Sequence, residues 1–415
     1  HKEQSKYETT LLINTLVQSG KLLAIGLGEA GTDVVIRNLK QDKLNPLMRG
    51  HEVICLFGFC DIRGFADANE KLKEDVLGFV NEVAHILHSI VDRFGGSTNK
   101  NLGNNFLVVW KFRDADIEDV IKYDDDGREK VGKQLKQFAH ENNPVAARCE
   151  LAIISFLSAI ASVHQSTALD KYHRSGKVGA RRLDHKVVMS FGLHLGWAFE
   201  GAIGSEHKID VSYLSPNVNL ASRLEAATKQ YGTLLFVSGQ IIDLVSADVR
   251  NQHRLVDVVY LKGSKQAIRL YTFDVHTDNL EPHEIFEEQM AALERSTHKL
   301  ASIEYRNRLR DFHERVFAGK FSTKSLLVNN KVIRKMRIKY TRDFFRRWEA
   351  GFECYTRGQW ADARTHFEYT RAFFENTHGM LHKEDGPSIN LLHFMAEHDF
   401  VAPHDWKGVR KLMNK

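Results

Sequence analysis

A single carboxylate, Asp61, stands where an apolar run ends and a glycine turn begins. The run is Ile54–Phe59, and the surrounding residues 57–65 read Phe-Gly-Phe-Cys-Asp-Ile-Arg-Gly-Phe. A strand that ends in this way can present a carboxylate to a metal ion that also binds phosphate, because divalent cations prefer oxygen ligands. An aspartate that only caps a turn has the same local appearance. Asp61 is therefore a candidate metal ligand.

A helix is predicted from Ser215 to Tyr231, with two polar side chains on one of its faces. Ser215 can cap this helix and Pro216 can start it. Asn219 and Arg223 lie four residues apart, so both project from the same face. An amide and a guanidinium at this spacing can contact one ligand, although on an ordinary helix they would be surface residues.

Four segments, in this order and spacing, resemble the catalytic domain of class III nucleotide cyclases, the adenylate and guanylate cyclases. They are residues 57–65, 99–106 (Asn-Lys-Asn-Leu-Gly-Asn-Asn-Phe), 191–204 (Phe-Gly-Leu-His-Leu-Gly-Trp-Ala-Phe-Glu-Gly-Ala-Ile-Gly) and 215–225 (Ser-Pro-Asn-Val-Asn-Leu-Ala-Ser-Arg-Leu-Glu). The resemblance covers about residues 51–275. It implies an α+β, ferredoxin-like domain with a central, mostly antiparallel sheet flanked by helices.

The resemblance also implies roles for individual residues. Asp61 matches the family's first metal-binding aspartate, and the Ile62 carbonyl matches a main-chain ligand. Asn219 matches an asparagine that orients the ribose, Arg223 an arginine that stabilises charge on the triphosphate, and Lys262 a lysine that binds the terminal phosphates. In the family's reaction the ribose 3′-oxygen attacks the α-phosphorus while pyrophosphate leaves, and two metal ions between two carboxylates stabilise both oxygens. The implied cofactor is Mg²⁺ or Mn²⁺.

The second metal-binding aspartate of the family is replaced in this chain. It normally follows the glycine of a hairpin turn, and the pair here is Gly103-Asn104. Asparagine offers a carbonyl oxygen but no charge, whereas magnesium is held chiefly by carboxylates and phosphates. A unit-charge pair at 4 Å is worth roughly 4 kcal/mol near a protein surface, and each 1.4 kcal/mol is about a tenfold change in rate. We therefore expect an impaired metal site.

Two further positions bear on the choice of base. Lys100 stands where adenylate cyclases tend to carry a lysine that donates to adenine N1, and guanylate cyclases a glutamate. Ser212 matches a position where adenylate cyclases often have aspartate or threonine, and its hydroxyl can accept from the adenine amino group. Pro216 replaces a usual Asp or Asn. The implied substrate is ATP.

The family's active site lies between two cyclase domains, and this chain has one. The leading hypothesis is an adenylate cyclase-like subunit that gives Lys100, Ser212, Asn219 and Arg223 to a second cyclase domain. A heterodimer is favoured over a homodimer, because a homodimer would carry Asn104 in both sites. The alternative is a pseudo-enzyme, a nucleotide-binding or structural component of a larger assembly.

Composition and charge argue against several partners. The net charge of +5 is small for 415 residues and is not gathered into one block, so no nucleic-acid partner is expected. Four cysteines without paired metal-ligand spacing favour a reducing, intracellular compartment and no zinc site. The longest apolar stretch, residues 151–163, is too short to span a bilayer, so no membrane segment is expected in this chain. The chain begins at His1, and we expect a piece of a cytoplasmic protein whose other segments or partner could tether it to a membrane or a ciliary or cytoskeletal assembly.

The chain divides into three predicted regions. Residues 1–50 form an N-terminal helical linker, and residues 51–275 form the cyclase homology domain, with 113–186 as an insertion. Residues 276–415 form a helical C-terminal region with one tetratricopeptide-like hairpin around residues 348–367. These helices are expected to dock on a protein partner or on the cyclase domain itself.

A third and weakest hypothesis is a dinucleotide-binding enzyme. Gly26, Gly28 and Gly31 fit the GxGxxG pattern after a short strand at residues 22–25. The rest of a repeated βαβ sheet is missing, and a lone glycine fingerprint often matches by chance.

Overall fold

A nine-stranded sheet forms the centre of the molecule, and the apolar strand that ends at Asp61 lies in its middle. The computed structural model describes residues 2–39, 49–123, 127–138, 143–174, 187–205, 207–281, 299–380 and 383–412. In chain order the strands are β1 (His51–Ile62), β2 (Ser97–Leu102), β3 (Asn105–Lys111), β4 (Ile117–Tyr123), β5 (Glu129–Leu135), β6 (Met189–Ser205), β7 (Lys208–Leu214), β8 (Leu235–Ser238), β9 (Arg254–Tyr260), β10 (Ile268–Thr272) and β11 (Arg410–Lys411).

The sheet has the order β11-β9-β10-β8-β6-β1-β3-β2, with β7 paired to β6, while β4 and β5 form a separate hairpin. Among the pairs of described strands, β6 with β8 and β9 with β11 are parallel and the others are antiparallel. The predicted α+β fold with a central, mostly antiparallel sheet is confirmed.

Helices cover both faces of the sheet. In chain order they are α1 (Lys2–Leu39), α2 (Phe65–Leu72), α3 (Val76–Arg93), α4 (Pro144–Gln165), α5 (Thr167–Arg174), α6 (Pro216–Tyr231), α7 (Gly239–Ile242), α8 (Ala247–Arg250), α9 (Lys299–Phe317), α10 (Thr323–Val328), α11 (Lys331–Arg337), α12 (Arg342–Thr356), α13 (Trp360–Arg371), α14 (Phe373–His378) and α15 (Gly386–Ala396). Alternate residues of β1 point to opposite faces. Leu56 lies in the core with α3 and α4, and Phe57 lies in the core on the α6 side.

Two glycines on β6 let α6 lie directly against the sheet. A Cβ atom at Gly192 would be 2.3 Å from the Glu225 nitrogen, and one at Gly196 would be 2.2 Å from Asn217 Cγ. No real side chain fits at such distances, so both positions require glycine. The position of α6 over the sheet is thereby fixed.

The predicted insertion is narrower than residues 113–186. Helix α4 is part of the main hydrophobic core, where Phe156 packs against Trp110 and Phe191 with ring centroids 5.4 and 4.7 Å apart. A helix buried in this way cannot be an appendage, so 144–165 belongs to the domain itself. The β4–β5 hairpin is the separate element of this region, and residues 175–186 lie outside the described residues.

The same helix α4 bears on the expectation of no membrane segment. In the described part of the chain it alone is long and apolar enough to cross a bilayer, and 78% of its most apolar window is buried inside the protein. A mostly buried core helix passes this test as readily as a spanning one, so the finding is weak evidence for a membrane segment.

The glycine fingerprint lies within α1 rather than after a strand. Residues 22–25 are helical, and the chain bends at Gly28, where φ is +67° and ψ is −170°. Without a strand before the glycines and a helix starting at them, the dinucleotide hypothesis is wrong. Helix α1 packs against β2 and β7.

The C-terminal helices dock on the cyclase sheet. Helices α12 and α13 form a helical hairpin in which Trp348 and Phe367 have ring centroids 5.0 Å apart. The Trp348 indole donates to the Leu255 carbonyl of β9 at 2.9 Å, and β11 pairs with the edge of β9. Of the two docking expectations, the structure has the tail on the domain itself.

A buried ion cluster joins this tail to the sheet. Arg254 of β9 contacts Asp274 at 2.6 Å and Asp385 at 2.9 Å, and all three side chains are at most 3% exposed. Asp385 also accepts from the Ser388 backbone nitrogen at 3.0 Å and so caps α15. The Arg254 guanidinium lies 4.3 Å from the Trp348 ring centroid. Arg254, which lies on strand β9, thus contacts both the residue that caps α15 and the α12–α13 hairpin.

Arg254→Met should destabilise the protein by about 3–5 kcal/mol, because it leaves two buried carboxylates without their cation. The matched control is Arg346→Met, which breaks a surface pair with Asp343 in which Arg346 is 77% exposed and should move the unfolding midpoint far less, because water screens an exposed pair. Urea unfolding followed by tryptophan fluorescence measures both. Equal unfolding midpoints for the two variants would contradict the assigned role of the cluster.

Candidate functional site

Both oxygens of the Asp61 carboxylate are engaged by side chains of the chain itself. Asp61 lies opposite Asn105 on β3 and Ser190 on β6, and its side chain is 4% exposed. The Asn104 amide donates to Oδ1, and the Lys229 ammonium, from the last turn of α6, contacts Oδ2 at 2.5 Å. The carboxylate is therefore paired with a cation from its own chain.

The three predicted metal positions lie together at this end of β1. Asn104 sits in the turn between β2 and β3, where Gly103 has a φ of +68°. The Asn104 carbonyl accepts from the Ile62 backbone nitrogen at 3.1 Å, so the turn is held against the end of β1. The asparagine side chain thereby reaches Asp61.

This set of side chains does not fit a two-metal site as it stands. It holds one carboxylate of the family's pair, and that carboxylate already accepts from an amide and an ammonium. No group of three or more His, Cys, Asp or Glu side chains that could hold a metal occurs among the described residues. Lysine has donors and no acceptor, so Lys229 cannot itself ligate a cation.

Asp61 and the neighbouring Glu225 are buried, so the balance of charge between them and nearby cations is important. Burial raises the pKa of Glu225, against the effects of the Ser190 hydrogen bond and the Lys229 charge. Burial likewise lowers the pKa of the Arg63 guanidinium, which donates to Thr228 Oγ1 at 3.1 Å. Unbalanced charge is costly in such a place. The chain supplies the balance through its own two cations.

A second group of candidate residues lies toward the start of α6. Ser215 accepts from the Asn217 backbone nitrogen at 3.1 Å and caps the helix, as predicted. Asn219 is exposed and Arg223 is partly buried. A Cβ atom at Gly263 would lie 2.8 Å from Arg223 Nη1, so Arg223 touches the turn that carries Lys262. The core-facing side of α6 buries Leu224 and Ala227 with Leu261 and Phe236.

The two predicted base-reading residues are connected through neighbouring strands. Lys100 Nζ lies 3.9 Å from Asp210 Oδ2. The Ser212 hydroxyl donates to Asn99 Oδ1 at 3.4 Å, and the Asn99 amide donates to the Val211 carbonyl at 3.2 Å. Strands β2 and β7 thus hold Lys100 and Ser212 in one local cluster.

Sequence reasoning missed two of these side chains, Asp210 and Lys229. Asp210 lies two residues before Ser212 on β7 and so shares its face, which was a usable signal. Lys229 lies four residues after Glu225, a spacing at which helix side chains meet, and their charged atoms are 3.8 Å apart. Its contact with Asp61, 168 residues away along the chain, had no local signal.

The two groups of residues lie at different positions along α6, with Asn219 in its first turn, Arg223 at its middle and Lys229 in its last turn. A helix rises 1.5 Å per residue, so Asn219 and Lys229 are separated by about 15 Å along the helix axis. The six residues from Arg223 to Lys229 also rotate the side-chain direction by about 240°. The residues near Asp61 and those near Arg223 therefore do not face one common pocket within this chain.

Comparison with known proteins agrees with this arrangement of strands and motifs. A family model described as the adenylate and guanylate cyclase catalytic domain matches residues 48–275, more than half of the chain. The chain belongs to this family. The resemblance to class III nucleotide cyclases is thereby confirmed. A second family model, the all-helical domain of RasGEFs, matches the short stretch 1–40 and assigns no family.

Curated relatives of the cyclase domain are named adenylate cyclases. The chain is 26% identical over 220 residues to an adenylate cyclase of Anabaena cylindrica, covering 51% of this chain and 35% of that protein. It is 23% identical over 214 residues to adenylate cyclase 1 of Rhizobium meliloti (strain 1021), covering 51% and 26%. Among solved structures, a bacterial light-regulated adenylyl cyclase has a TM-score of 0.44 and 21% identity, covering 65% of this chain and 64% of that one. The chain thus spans about a third or less of the length of these curated relatives.

Gly263→Ala should displace Arg223, because the new methyl group would lie 2.8 Å from the guanidinium. We expect inorganic tripolyphosphate to bind this variant about tenfold more weakly than the wild type, the loss of roughly one charge-assisted hydrogen bond. Isothermal titration calorimetry measures it.

Gly127→Ala is the matched control for this prediction. Gly127 has nearly the same φ, +76° against +78°, but no atom of the described residues lies within 4 Å of its Cβ position. Both variants carry the same left-handed backbone strain, so equal losses of tripolyphosphate affinity would show that Arg223 is not the cause.

Proposed function

We propose that this chain is an adenylate cyclase-like subunit that converts ATP to cyclic AMP and pyrophosphate opposite a second cyclase domain. The observation that supports this proposal is the separation of the two groups of residues along α6. Its middle holds Arg223 against the Lys262 turn, while its last turn pairs Lys229 with Asp61. A complete site then needs the first group from one domain and metal-binding carboxylates from another.

The substrate preference rests on Lys100 and Ser212. The Lys100 ammonium donates to adenine N1, and Asp210 Oδ2 lies 3.9 Å from it. The Ser212 hydroxyl accepts from the adenine amino group. Guanine presents a donor at N1 and an oxygen at position 6, so it would leave both contacts mismatched.

The chemistry assigned to this chain is positioning and charge stabilisation. The ribose 3′-oxygen forms a bond to the α-phosphorus, the bond from that phosphorus to the bridging oxygen breaks, and the hydroxyl proton leaves to solvent. Asn219 orients the ribose for this attack. Arg223 stabilises the charge on the triphosphate, and Lys262 binds the terminal phosphates. Divalent metal ions, Mg²⁺ or Mn²⁺, would supply charge stabilisation from the partner's carboxylates.

The partner is proposed to be a non-identical cyclase domain. In a homodimer both sites would carry Asn104 and the Asp61–Lys229 pair, whereas a partner with both aspartates would complete one site. The C-terminal helices, docked on the sheet, leave their outer surface for a further protein. A cytoplasmic location, with tethering through other segments or the partner, is part of the same proposal.

A second candidate function is a catalytically inactive pseudo-enzyme that binds nucleotide or supports a larger assembly. Asn104 and the pairing of Asp61 with Lys229 favour it. The cluster of Lys100 and Ser212 and the contact of Arg223 with the Lys262 turn favour the first proposal, because a purely structural domain has no chemical need for them. The measurement of cyclic AMP described next separates the two.

With ATP and Mn²⁺, the chain alone should form cyclic AMP far below the 1–10³ per second that is typical of enzymes, and Asn104→Asp should raise the rate. Restoring a carboxylate is worth up to roughly 4 kcal/mol at 4 Å, so we expect an increase between about tenfold and a thousandfold. Cyclic AMP is measured by chromatography. An ordinary turnover rate for the wild type would contradict the impaired site.

Mixing variants tests whether the site lies between two chains. The double variant Asn104→Asp/Arg223→Ala lacks the arginine and should be inactive alone, but it should gain activity when mixed with the wild type, which supplies Arg223. Its mixture with Arg223→Ala is the control and should stay inactive. No gain in the first mixture, with mixed dimers verified by cross-linking, would place the site elsewhere.

Lys100→Glu should shift nucleotide preference from ATP toward GTP. The carboxylate cannot donate to adenine N1 and can accept from guanine N1, a change of about 1–3 kcal/mol for each base. Titration with both nucleotides measures the ratio of affinities, and Lys265→Glu, which makes the same charge change in the β9–β10 turn, is the control. Equal ATP and GTP affinities in the unmodified protein would refute the assigned base contact.

A further inference from the structure

We propose that Lys229 is a built-in counter-ion that closes the Asp61 end of this chain to divalent cations. The proposal goes beyond the missing aspartate at position 104, because it assigns the closure to a cation supplied by α6. It concerns the metal half within the proposed function. Metal binding without nucleotide tests it independently of whether ATP is a substrate.

Each oxygen of the Asp61 carboxylate is already contacted by a donor of the chain itself. Its side chain is 4% exposed, and the Lys229 ammonium contacts Oδ2 at 2.5 Å. The other oxygen accepts from the Asn104 amide. A cation that ligated Asp61 would have to displace the ammonium or lie beside it, and two like charges at contact distance repel strongly in a buried setting.

The orientation of Asn104 supports the same conclusion. A carboxylate only accepts hydrogen bonds, so the asparagine must turn its NH₂ group to Asp61. Its oxygen, the atom that could ligate a metal, instead accepts from the Asn105 amide at 3.4 Å. The asparagine therefore acts here as a hydrogen-bond donor to Asp61 and not as a second ligand.

Lys229 is held in place by its own helix. Glu225, one turn earlier on α6, lies 3.8 Å from the ammonium, and its Oε1 accepts from the Ser190 hydroxyl at 2.7 Å. The ammonium thus lies between Asp61 and Glu225. About half of the Lys229 side chain remains exposed, so the lysine can be replaced without opening a cavity in the core.

The consequence is that, in a pair of cyclase domains, metal binding falls to the other domain. The charge of Asp61 is balanced inside the chain, so this domain folds and pairs without a divalent cation at that end. In a pair with a metal-competent domain, the two chains would not compete for metal. A substitution at position 104 alone would restore a carboxylate and part of the metal affinity, but the Lys229 ammonium would still compete with the metal for Asp61.

The test is a titration with Mn²⁺ alone, followed by the loss of the electron paramagnetic resonance signal of the free ion. The test variant is Asn104→Asp/Lys229→Gln, which restores the carboxylate and removes the cation while glutamine keeps a helix propensity close to that of lysine. The matched control is Asn104→Asp/Lys324→Gln. Lys324 forms a 2.7 Å pair with Asp248 and is 52% exposed, against 51% for Lys229, so both double variants have the same net charge.

We expect the wild type to bind no Mn²⁺ in the millimolar range and the Lys229 double variant to bind one ion at least about tenfold more tightly than the Lys324 control, a change typical of second-shell groups. Adding Asp61→Asn should abolish that binding. If the double variant does not fold by circular dichroism, Lys229→Gln and Lys324→Gln in the wild-type background are compared in the same way. The variant Lys229→Arg keeps the positive charge, so its Asp61 end should stay closed to Mn²⁺.

Two outcomes would overturn the proposal. One is a wild type that binds one Mn²⁺ per chain and loses it on Asp61→Asn. The other is equal Mn²⁺ affinity of the Lys229 and Lys324 variants, which would mean that a group other than Lys229 closes the site.

Discussion

The close approach of α6 to β6 is the constraint on which the arrangement of the candidate site depends. Gly192 and Gly196 lie four residues apart on one face of β6, and the backbone and first side chains of α6 fill the space that their Cβ atoms would occupy. A larger residue at either position would lift the helix from the sheet. Because α6 carries Asn219, Arg223, and Lys229, its height and rotation set the positions of all three.

Helix α6 also connects the site to the rest of the molecule. Its buried side has Leu224 and Ala227 in a core shared with the β9–β10 region, and α15 of the C-terminal region packs on its outer side. Tyr231 at its end donates to Asp257, which also accepts from Arg410 of β11 at 2.7 Å. The tail therefore contacts the end of α6 just after Lys229 and, through β11, the strand β9 that leads into the Lys262 turn. Loss of tail docking would affect both groups of residues by direct packing.

Charge is arranged differently along α6. At its middle Arg223, with Lys262 of the neighbouring turn, presents positive charge near the surface, which suits an anionic ligand. At its end, Asp61 is buried and neutralised by Lys229, and Glu225 beside them has a pKa raised by burial. A buried carboxylate without a cation would be unfavourable, and in this family divalent metals would ordinarily meet that need. In this chain the Lys229 ammonium and the Asn104 amide contact that carboxylate instead.

The sequence by itself determined the fold class and most of the individual candidates. Four ordered motifs were enough to predict the sheet, the capped helix and the positions of Asp61, Asn104 and Arg223, because these features depend on residue type and short spacing. Local patterns were misleading where burial decided the outcome. The helix at 144–165 was assigned to an insertion although it fills the core. The glycines at 26–31 were matched to a strand-turn pattern although they lie within helix α1.

Only the tertiary structure decided which residues meet. Lys229 had no local signal for its contact with Asp61, since the two are 168 residues apart and are joined by the packing of α6 on the glycines of β6. The Arg254 cluster likewise draws Asp274 and Asp385 from separate regions of the chain. Sequence spacing specifies which side chains share a face of one element, but the pairing of charges between elements depends on how those elements pack, and that is a property of the whole fold.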